Sequence, residues 1–334
     1  MKEENFSNIS ELSAVMTTET EEVQTTITMT TSSTAVVALF YFQCAVVVIG
    51  VVGAAANGLI LYAMIASKQH KKQFLIFNQN VFDLCSCLLL VLTYTLQICS
   101  IHLTGMLGYW LCMMVLSENL IWCAKHGSHI NLMSISIERY LKVVHPTYSK
   151  IVLRKWVIYL AVAFAWIIST VYNQAVVFST SVVVDGVCYG YILWESRVAA
   201  VAYGIWAFMS FFVLVIFVFI FCYGRIVVVI HRQARVMAVH RGPGPSTAQT
   251  HSHHIQTSVI KTMIFVSAFF VITGIPGEVY YMMLNVKPGL TLHNVGYYIA
   301  IFSAFLYITA NPFIYATKFD PVRHLLIGLI PCKK

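Results

Sequence analysis

SISIERYLKVVHP, residues 134–146, places the triplet Glu138-Arg139-Tyr140 at the end of a long apolar segment that begins near Tyr109. An ionised arginine–glutamate pair inside hydrocarbon would cost several kcal/mol. The triplet is therefore predicted to lie at a membrane–water boundary, with the basic residues that follow it already beyond the bilayer. For the triplet alone, an arginine that caps the C-terminus of a helix, where positive charge suits the helix dipole, fits equally well. The rest of the chain favours the membrane boundary.

The composition indicates a protein with several membrane spans. Hydrophobic residues make up 59% of the 334 residues and charged residues 10%, with a mean hydropathy of +0.77, whereas a soluble domain carries about 25% charged residues. Apolar segments long enough to cross a bilayer alternate with basic ones and predict seven spans, at 36–65, 74–101, 109–144, 156–178, 199–229, 257–284 and 294–317. The predicted fold class is an all-α bundle of seven transmembrane helices.

The distribution of charge orients this bundle. The formal net charge is +8, and the basic residues concentrate after spans one, three, five and seven. The opposite loops and the N-terminal tail hold only Lys2, Arg197 and Lys287. By the positive-inside rule the N-terminus is predicted to be extracellular. The basic loops then form a cytoplasmic face near anionic lipid, and not a nucleic-acid surface.

The pattern predicts three segments: an extracellular tail at 1–34, the bundle at 35–318, and a short interfacial helix with a cytoplasmic tail at 319–334. The first tail is too polar to build a core and contains glycosylation acceptors at Asn5 and Asn8. No basic segment followed by an early apolar stretch appears, so no cleavable signal peptide is predicted. Cys332, just after the amphipathic segment, is a candidate palmitoylation site.

Polar residues within the spans mark the interior of the bundle. Steps of three and four residues from Glu118 define one stripe of span three: Glu118, Ile121, Lys125, Ser128, Leu132, Ile135 and Arg139. Asp83 in span two and Glu278 in span six are further acids in apolar surroundings, and such acids must face the interior and find partners. The stripe is predicted to face other helices and a water-filled cavity.

Two prolines predict kinks in the last two spans. Pro276 removes a backbone hydrogen bond inside span six, and Asn311-Pro312-Phe-Ile-Tyr315 places a second proline beside polar groups in span seven.

Taken together, the seven spans, the outer N-terminus and one polar set per span resemble the rhodopsin-like (class A) G-protein-coupled receptors over residues 36–330. The matching positions are Asn57, Asp83, Glu138-Arg139-Tyr140, Trp166, Tyr223, Pro276 and Asn311-Pro312-x-x-Tyr315. The resemblance implies a plasma-membrane receptor whose extracellular ligand shifts a pre-existing equilibrium. Span six would swing outward, and Arg139, Tyr223 and Tyr315 would rearrange to open a cytoplasmic cleft for a heterotrimeric G protein. Arrestin and receptor kinases are further expected partners.

The resemblance also implies an ion site and a disulfide. Asp83, Ser128 and Asn311 resemble the sodium-binding cluster of the family, so a sodium ion is the one expected modulator. Cys112 and Cys188 would join span three to the second outer loop.

Several positions depart from the family pattern. Span six has Thr273-Gly-Ile-Pro276 in place of Cys-Trp-x-Pro, so Phe270 is the candidate substitute for the missing aromatic residue. Val215 occupies the place of the usual span-five proline. Gln256 stands where many members have an acid that pairs with Arg139, and this absence predicts raised basal signalling.

Two further departures concern the disulfide and the ion site. Cys112 lies two residues farther from Arg139 than the family spacing, so either the start of span three or the geometry of the bridge must differ. Tyr307 and Ile308 replace polar members of the sodium cluster, which leaves sodium binding open.

The sequence disfavours two common ligand classes. Ile121 stands where amine receptors have an aspartate, and Phe305 where opsins have a lysine, so both classes are disfavoured. The predicted ligand pocket comprises Glu118, Ile121, Lys125, Glu278, Tyr281 and Phe305, with Tyr280 nearby. Lys125 and Glu278 either form an internal ion pair or hold a charged ligand such as a peptide or a modified amino acid, and the two uses are compatible if ligand competes for the pair.

The alternative class is a seven-span transporter or ion channel, in which Asp83, Lys125 and Glu278 would line an ion path. Such proteins often show internal repeats, and none is apparent in the sequence. The chain is not expected to be an enzyme, because it lacks GxxxxGK, HExxH and G-x-S-x-G patterns.

Overall fold

The structure is a computed structural model that describes residues 33–191, 194, 196–239, 247–287 and 295–318. The glycosylation acceptors Asn5 and Asn8, the predicted interfacial helix and Cys332 lie outside the described residues. The first helix begins at Ser33, so the predicted boundary between tail and bundle at 34/35 falls inside its first turn.

Seven long helical spans lie within the described part of the chain. Five are continuous: span one Ser33–Ala66, span two Phe74–Ile98, span four Lys155–Thr180, span six Thr247–Val286 and span seven Val295–Lys318. Span three is interrupted and comprises Gly105–Leu111, a π-helical turn Cys112–Leu116 and Asn119–Val144. Span five is likewise interrupted and comprises Arg197–Phe208, a π-helical turn Met209–Val213 and Leu214–Val239. Short helices Gln69–Lys71 and Pro146–Val152 join spans one to two and three to four, and strands β1 (Val182–Val184) and β2 (Val187–Tyr189) lie between spans four and five.

Spans five and six extend beyond their apolar segments. Span five continues to Val239 and not to 229, and span six begins at Thr247 and not at 257. The added residues include arginine, glutamine, alanine and methionine, which have good helix propensity in water. The sequence pattern therefore located the apolar part of each span, whereas the hydrogen-bonded helix runs on past it.

Apolar side chains cover the outside of the bundle. Phe217, Ile220 and Ile272 are 66%, 70% and 69% exposed although they lie in the middle of long helices. A soluble protein rarely leaves so many contiguous apolar side chains in water. These outer faces are suited to lipid.

Span three lies at the centre of the arrangement. Spans one and two, two and three, three and four, three and five, five and six, and six and seven pack in pairs, and span seven returns to span one. The ring is thus closed, and the polar stripe of span three faces into it. Lys125, Ser128, Leu132 and Ile135 of the stripe are buried, which confirms the predicted interior face.

Small residues allow spans one and two to approach closely. A Cβ atom at Gly53 would lie 2.5 Å from Cys87 Sγ, and Asn57, one turn further on, is completely buried and donates to the carbonyl oxygens of Gly53 and Ile308. Without a hydrophobic effect between helices in lipid, such close packing and side-chain hydrogen bonds hold the spans together.

Pro276 and Pro312 lie inside spans six and seven, as predicted. Proline removes one backbone hydrogen bond and crowds the preceding turn. Near Pro276, Ser303 of span seven donates a hydrogen bond of 2.8 Å to the Thr273 carbonyl. The Ser303 hydroxyl of span seven thus gives a hydrogen-bond donor to a backbone carbonyl of span six, three residues before Pro276.

Strands β1 and β2 form the hairpin that Asp185-Gly186 predicts. Val182 pairs with Tyr189, and Val184 with Val187. Asp185 and Gly186 both have positive φ, 49° and 74°, as a two-residue turn of this twist requires. The Gly186 carbonyl also accepts from the Leu103 amide at 2.9 Å, so the hairpin is fixed to the start of span three.

An irregular turn accounts for the unusual spacing of Cys112. The π-helical turn Cys112–Leu116 is followed by Glu118 in a left-handed conformation, φ 61°, before regular helix resumes. These turns take up the additional residues, and Cys112 forms the expected disulfide with Cys188 in β2. The start of span three therefore differs from the family pattern, and the bridge is retained.

We expect Cys112→Ser to lower the free energy of unfolding by about 2–4 kcal/mol, because the bridge closes a loop of 76 residues and ties the hairpin to span three. Thermal unfolding of the purified protein, with and without reductant, measures the effect. Cys99→Ser, at an exposed free cysteine, is the matched control. Equal unfolding temperatures for the two variants would contradict the assigned role of the bridge.

Candidate ligand cavity and activation relay

A cavity of about 260 Å³ opens beneath the β-hairpin, between spans two to seven. This volume is slightly below the usual range for ligand pockets, which is roughly 300–1,000 Å³. The segment Cys188–Tyr191 forms its roof. Its walls include Gln97, Glu118, Trp122, Lys125, Tyr281 and Tyr297.

Lys125 and Glu278 form an ion pair in the wall of this cavity. Lys125 Nζ lies 2.8 Å from Glu278 Oε1, and the side chains are only 3% and 9% exposed. Lys125 Nζ also lies 4.4 Å from the centroid of the Trp122 ring, within the range of a cation–π contact. The pair joins span three to span six, so the structure shows the internal pairing that the sequence left open.

Two predicted pocket residues do not line the cavity. Ile121 and Phe305 are completely buried in the apolar core. Trp122, one position further along span three, lines the cavity instead. Both Ile121 and Trp122 satisfy helical spacing between Glu118 and Lys125, so periodicity alone does not choose between them.

Hydroxyl groups of tyrosines contribute much of the polar surface of the cavity. Tyr191 ends the roof, and Tyr203 and Tyr281 lie in the walls. Burial, followed by the neighbouring Tyr281, holds the pKa of Tyr191 well above its usual range. This hydroxyl therefore remains neutral and is available as a hydrogen-bond donor.

Beneath the cavity, aromatic rings fill the centre of the bundle. The ring centroid of Phe270 lies 4.7 Å from that of His129 and 5.3 Å from that of Tyr307. Gly274, which stands where the family commonly has tryptophan, faces Phe212 of span five, and a Cβ atom there would lie 3.1 Å from that ring. Phe212 and Phe270 thus pack in the region of the missing indole.

The carboxylate of Asp83 lies at the centre of the predicted cluster. Ser128 Oγ donates to Asp83 Oδ1 at 3.1 Å, and Asn311 Nδ2 donates to Oδ2 at 2.8 Å. All three residues are completely buried. Spans two, three and seven are therefore joined at one carboxylate.

A chain of amides, missed by the sequence analysis, ends at the same carboxylate. Trp166 Nε1 donates to Asn78, Asn78 Nδ2 to Asn131, and Asn131 Nδ2 to Gln79 Oε1, at 3.3, 3.0 and 2.9 Å. Gln79 Nε2 then donates to Ser128 Oγ and, at 3.4 Å, to Asp83 Oδ1. An indole N–H can only donate, so it fixes the orientation of every amide after it. The available signal was Asn78-Gln79-Asn80, three amides in an apolar helix beside Asp83.

At the end of the bundle opposite the hairpin, Arg139 lies next to Glu138 and Gln73. Arg139 Nη2 is 3.3 Å from Glu138 Oε2 and donates to Gln73 Oε1 at 3.3 Å. Lys142 forms a second ion pair with Glu138. Tyr140 is half-buried with its ring centroid 5.4 Å from that of Phe221, and its hydroxyl lies 3.2 Å from His145 Nε2. The side chain of Gln256 lies outside the described residues.

Tyr223 and Tyr315 lie close to this end. The Tyr223 hydroxyl is 2.9 Å from Ser136 Oγ and 3.4 Å from Ser267 Oγ, and so links spans three, five and six. The Tyr315 hydroxyl, beyond Asn311-Pro312, is buried and makes no hydrogen bond with the described residues.

The order of these residues along the spans matches that of a known family. Residues 56–315 match the sequence model of the family described as 7 transmembrane receptor (rhodopsin family). The chain belongs to this receptor family. It is a multi-pass membrane protein and a signalling receptor, and the family is not one of enzymes.

The fold of the receptor is similar to that of squid rhodopsin. The crystal structure of that protein matches with a TM-score of 0.72 at 17% sequence identity, covering 88% of this chain and 86% of that one. At this identity the likeness concerns the fold. A comparison with curated protein sequences finds no match.

The receptor residues around Asp83 do not fit a sodium ion. Both Asp83 oxygens already accept hydrogen bonds, and the Gln79 amide presents its N–H group where a cation would have to approach. Asn311 Oδ1 accepts no hydrogen bond from the described residues, but hard cations require a shell of several oxygen ligands. The sodium ion that the resemblance implies stays a prediction, and the hydrogen bonds of Gln79 count against it.

We expect the thermal stability of the receptor to be the same in sodium chloride and in choline chloride at equal ionic strength. Gln79→Leu removes the amide N–H and leaves Ser128 as the remaining donor to Asp83 Oδ1, so this variant is expected to unfold at a higher temperature in sodium chloride than in choline chloride. Asp83→Asn, combined with Gln79→Leu, is the control. A saturable stabilisation of the unmodified receptor by sodium would overturn the assignment.

Proposed function

We propose that the receptor binds an extracellular ligand in the cavity beneath the hairpin and converts that binding into activation of a heterotrimeric G protein. The observation that carries the proposal is the Lys125–Glu278 pair, because it places a breakable contact between spans three and six in the wall of the cavity. The ligand is a peptide or a small charged molecule that competes for one of these charges.

The charge distribution supports the orientation of the receptor in the plasma membrane. The basic segments lie at the end of the bundle that carries Arg139, and the Cys112–Cys188 disulfide lies at the other end. Disulfides form in oxidising compartments, and basic loops remain in the cytoplasm. The cavity then faces the extracellular side, and the N-terminus is extracellular.

Span six connects the Lys125–Glu278 pair in the cavity to the contacts around Arg139. Glu278 lies two positions from Pro276, so release of the Lys125–Glu278 pair acts directly on the kinked segment. Towards the cytoplasm, Phe270 packs against His129 and Tyr307, and Ser267 contacts Tyr223. Outward movement of this part exchanges these contacts and opens a cleft beside Arg139. Ligand need only bind the open arrangement better than the closed one.

We infer that basal signalling is raised. Among the described side chains, the contacts of Arg139 are with Gln73 and Glu138, and none is with span six. Gln256 carries no charge to pair with Arg139. The ionic restraint between spans three and six then lies in the ligand cavity, and the cytoplasmic end opens at lower cost.

Arrestin and receptor kinases are proposed as further partners of the cytoplasmic face. Ser246, just before span six, and Thr247, Thr250 and Ser252, in its first turns, supply hydroxyl acceptors for phosphorylation. A phosphate carries close to two negative charges and creates an anionic site beside the basic residues of that face.

The experiment that tests the proposed function is nucleotide exchange. The receptor in lipid nanodiscs is mixed with each of several purified heterotrimeric G proteins, and GDP release is followed. At least one G protein is expected to release GDP faster than with empty nanodiscs, even without added ligand. Unchanged release from every G protein, together with ion flux in liposomes, would favour a channel or carrier.

A further inference from the structure

The charges that line the cavity do not cancel. Lys125 is paired with Glu278 at 2.8 Å. Glu118 is a second acid in the cavity, and no other lysine or arginine of the described residues lines it. The cavity therefore contains one carboxylate more than it contains cations.

The described neighbours of the Glu118 carboxylate are neutral hydrogen-bond donors. The Tyr94 hydroxyl donates to Glu118 Oε1 at 2.6 Å, and the Trp122 indole lies beside it. Glu118 Oε1 thus acts as a hydrogen-bond acceptor, which is the role of a carboxylate oxygen. These donors orient the carboxylate without supplying positive charge.

The backbone of Glu118 is held in an uncommon conformation. Its φ of 61° lies in the left-handed region, which side chains other than glycine, asparagine and aspartate seldom adopt. The Glu118 amide donates to the Val115 carbonyl at 2.8 Å, and Ser117 Oγ to the Met113 carbonyl at 2.9 Å, so the π-helical turn imposes this geometry. Backbone strain of this kind concentrates at functional sites.

Aromatic rings surround the same part of the cavity. Trp122, Tyr281 and Tyr297 line it together with Glu118. The faces of such rings attract cations, particularly where water is excluded. A half-buried carboxylate among aromatic rings is an environment that selects a positively charged group.

We propose that Glu118 binds an alkylammonium group of the ligand, either of a small aromatic amine or of the amino terminus of a peptide. This deepens the proposed function and rests on it. The usual aspartate position of amine receptors holds the buried Ile121, so the sequence disfavours that class. Glu118 supplies the carboxylate almost one turn further out. The organic part of the ligand then packs among Trp122, Tyr281 and Tyr297.

An anionic ligand fits the cavity less well. It would be repelled by Glu118, and binding to Lys125 would leave Glu278 buried without a counter-charge, which is strongly unfavourable. An ammonium group meets Glu118 first and can then compete with Lys125 for Glu278. Cation binding at Glu118 and release of span six are therefore compatible steps.

Thermal unfolding of the receptor in phosphatidylcholine nanodiscs tests the proposal with two matched pairs of probes. Tyramine is compared with N-acetyltyramine, and tyrosyl-glycinamide with its N-acetylated form; each pair differs in the ammonium charge. At least one free amine is expected to raise the unfolding temperature saturably, whereas its acetylated form is expected to leave that temperature unchanged. The pair that responds distinguishes a small amine from a peptide amino terminus. Equal effects within both pairs, or no effect of either, overturn the proposal.

Glu118→Gln tests the residue itself. It keeps the size and the acceptor oxygen, and we expect it to weaken binding of the active amine by at least about tenfold. Asp185→Asn, in the hairpin turn outside the cavity, is the control and is expected to leave the affinity unchanged. Unaltered affinity in Glu118→Gln would sink the assignment. If that variant does not fold, the comparison of free and acetylated probes still decides.

Basal GDP release, measured on the same preparation, separates the two proposals. If GDP is released but no ammonium probe stabilises the receptor, the proposed cation site is wrong and the proposed function still stands. Stabilisation by an ammonium probe without GDP release from any G protein removes the proposed function.

Discussion

Lys125→Met is expected to destabilise the receptor by about 3–5 kcal/mol and to raise basal GDP release. The substitution leaves the Glu278 carboxylate, 9% exposed, without its partner at 2.8 Å, and an unpaired buried charge is costly. The Lys125–Glu278 pair exists only in the closed state, in which spans three and six are close together. Loss of the pair therefore destabilises the closed state more than the open one. Thermal unfolding and nucleotide exchange on one preparation measure both effects.

The double variant Lys125→Met/Glu278→Gln separates stability from restraint. With both charges removed, the unpaired buried charge disappears, so the double variant is expected to be more stable than Lys125→Met. It still lacks the link between the spans, so its basal GDP release is expected to remain high. Lys287→Met, at an exposed lysine of the same side, is the matched control. If neither the single nor the double change alters basal or ligand-evoked release, the pair is not a restraint.

Arg139→Ala is expected to abolish GDP release, to the level of empty nanodiscs. The guanidinium group lies at the cytoplasmic end, 13% exposed, with Glu138 and Gln73 as its described partners. Its side chain is the group that an opened cleft would present to the G protein. Glu138 keeps its ion pair with Lys142 when Arg139 is removed, so its buried carboxylate is not left without a counter-charge, and the fold and the ligand cavity are expected to persist.

Arg154→Ala controls for the loss of a positive charge on the same face, because Arg154 is exposed at the start of span four. This control is expected to retain most of the release. Full release from folded Arg139→Ala would contradict the assigned role of the triplet.

The seven spans were predictable from the sequence because soluble proteins seldom contain apolar helices long enough to cross a bilayer. That Asp83 has partners was also predictable, since an acid in hydrocarbon must be paired. Ser128 and Asn311 as those partners were implied only by the family resemblance. Helical spacing could not decide whether Ile121 or Trp122 lines the cavity, because both lie between Glu118 and Lys125 on adjacent faces.

The irregular start of span three was not predictable from local pattern. The position of Cys112 signalled two additional residues, but several backbone paths would absorb them. The disulfide with Cys188 and the contacts of the hairpin select the π-helical turn and the left-handed Glu118. Gln79 was missed for a related reason: its amide orientation is set by Trp166, 87 positions away, through a chain of hydrogen bonds between three spans.

The most direct test measures the distance between the cytoplasmic ends of spans three and six. Spin labels are placed at Tyr148 and Lys261, both exposed, in a background with Cys99→Ser. Breaking the outer pair with Lys125→Met/Glu278→Gln is expected to shift the distance distribution outward by several Å, while Lys287→Met leaves it unchanged. An identical distribution in the double variant and the unmodified receptor would show that the cavity pair does not control span six.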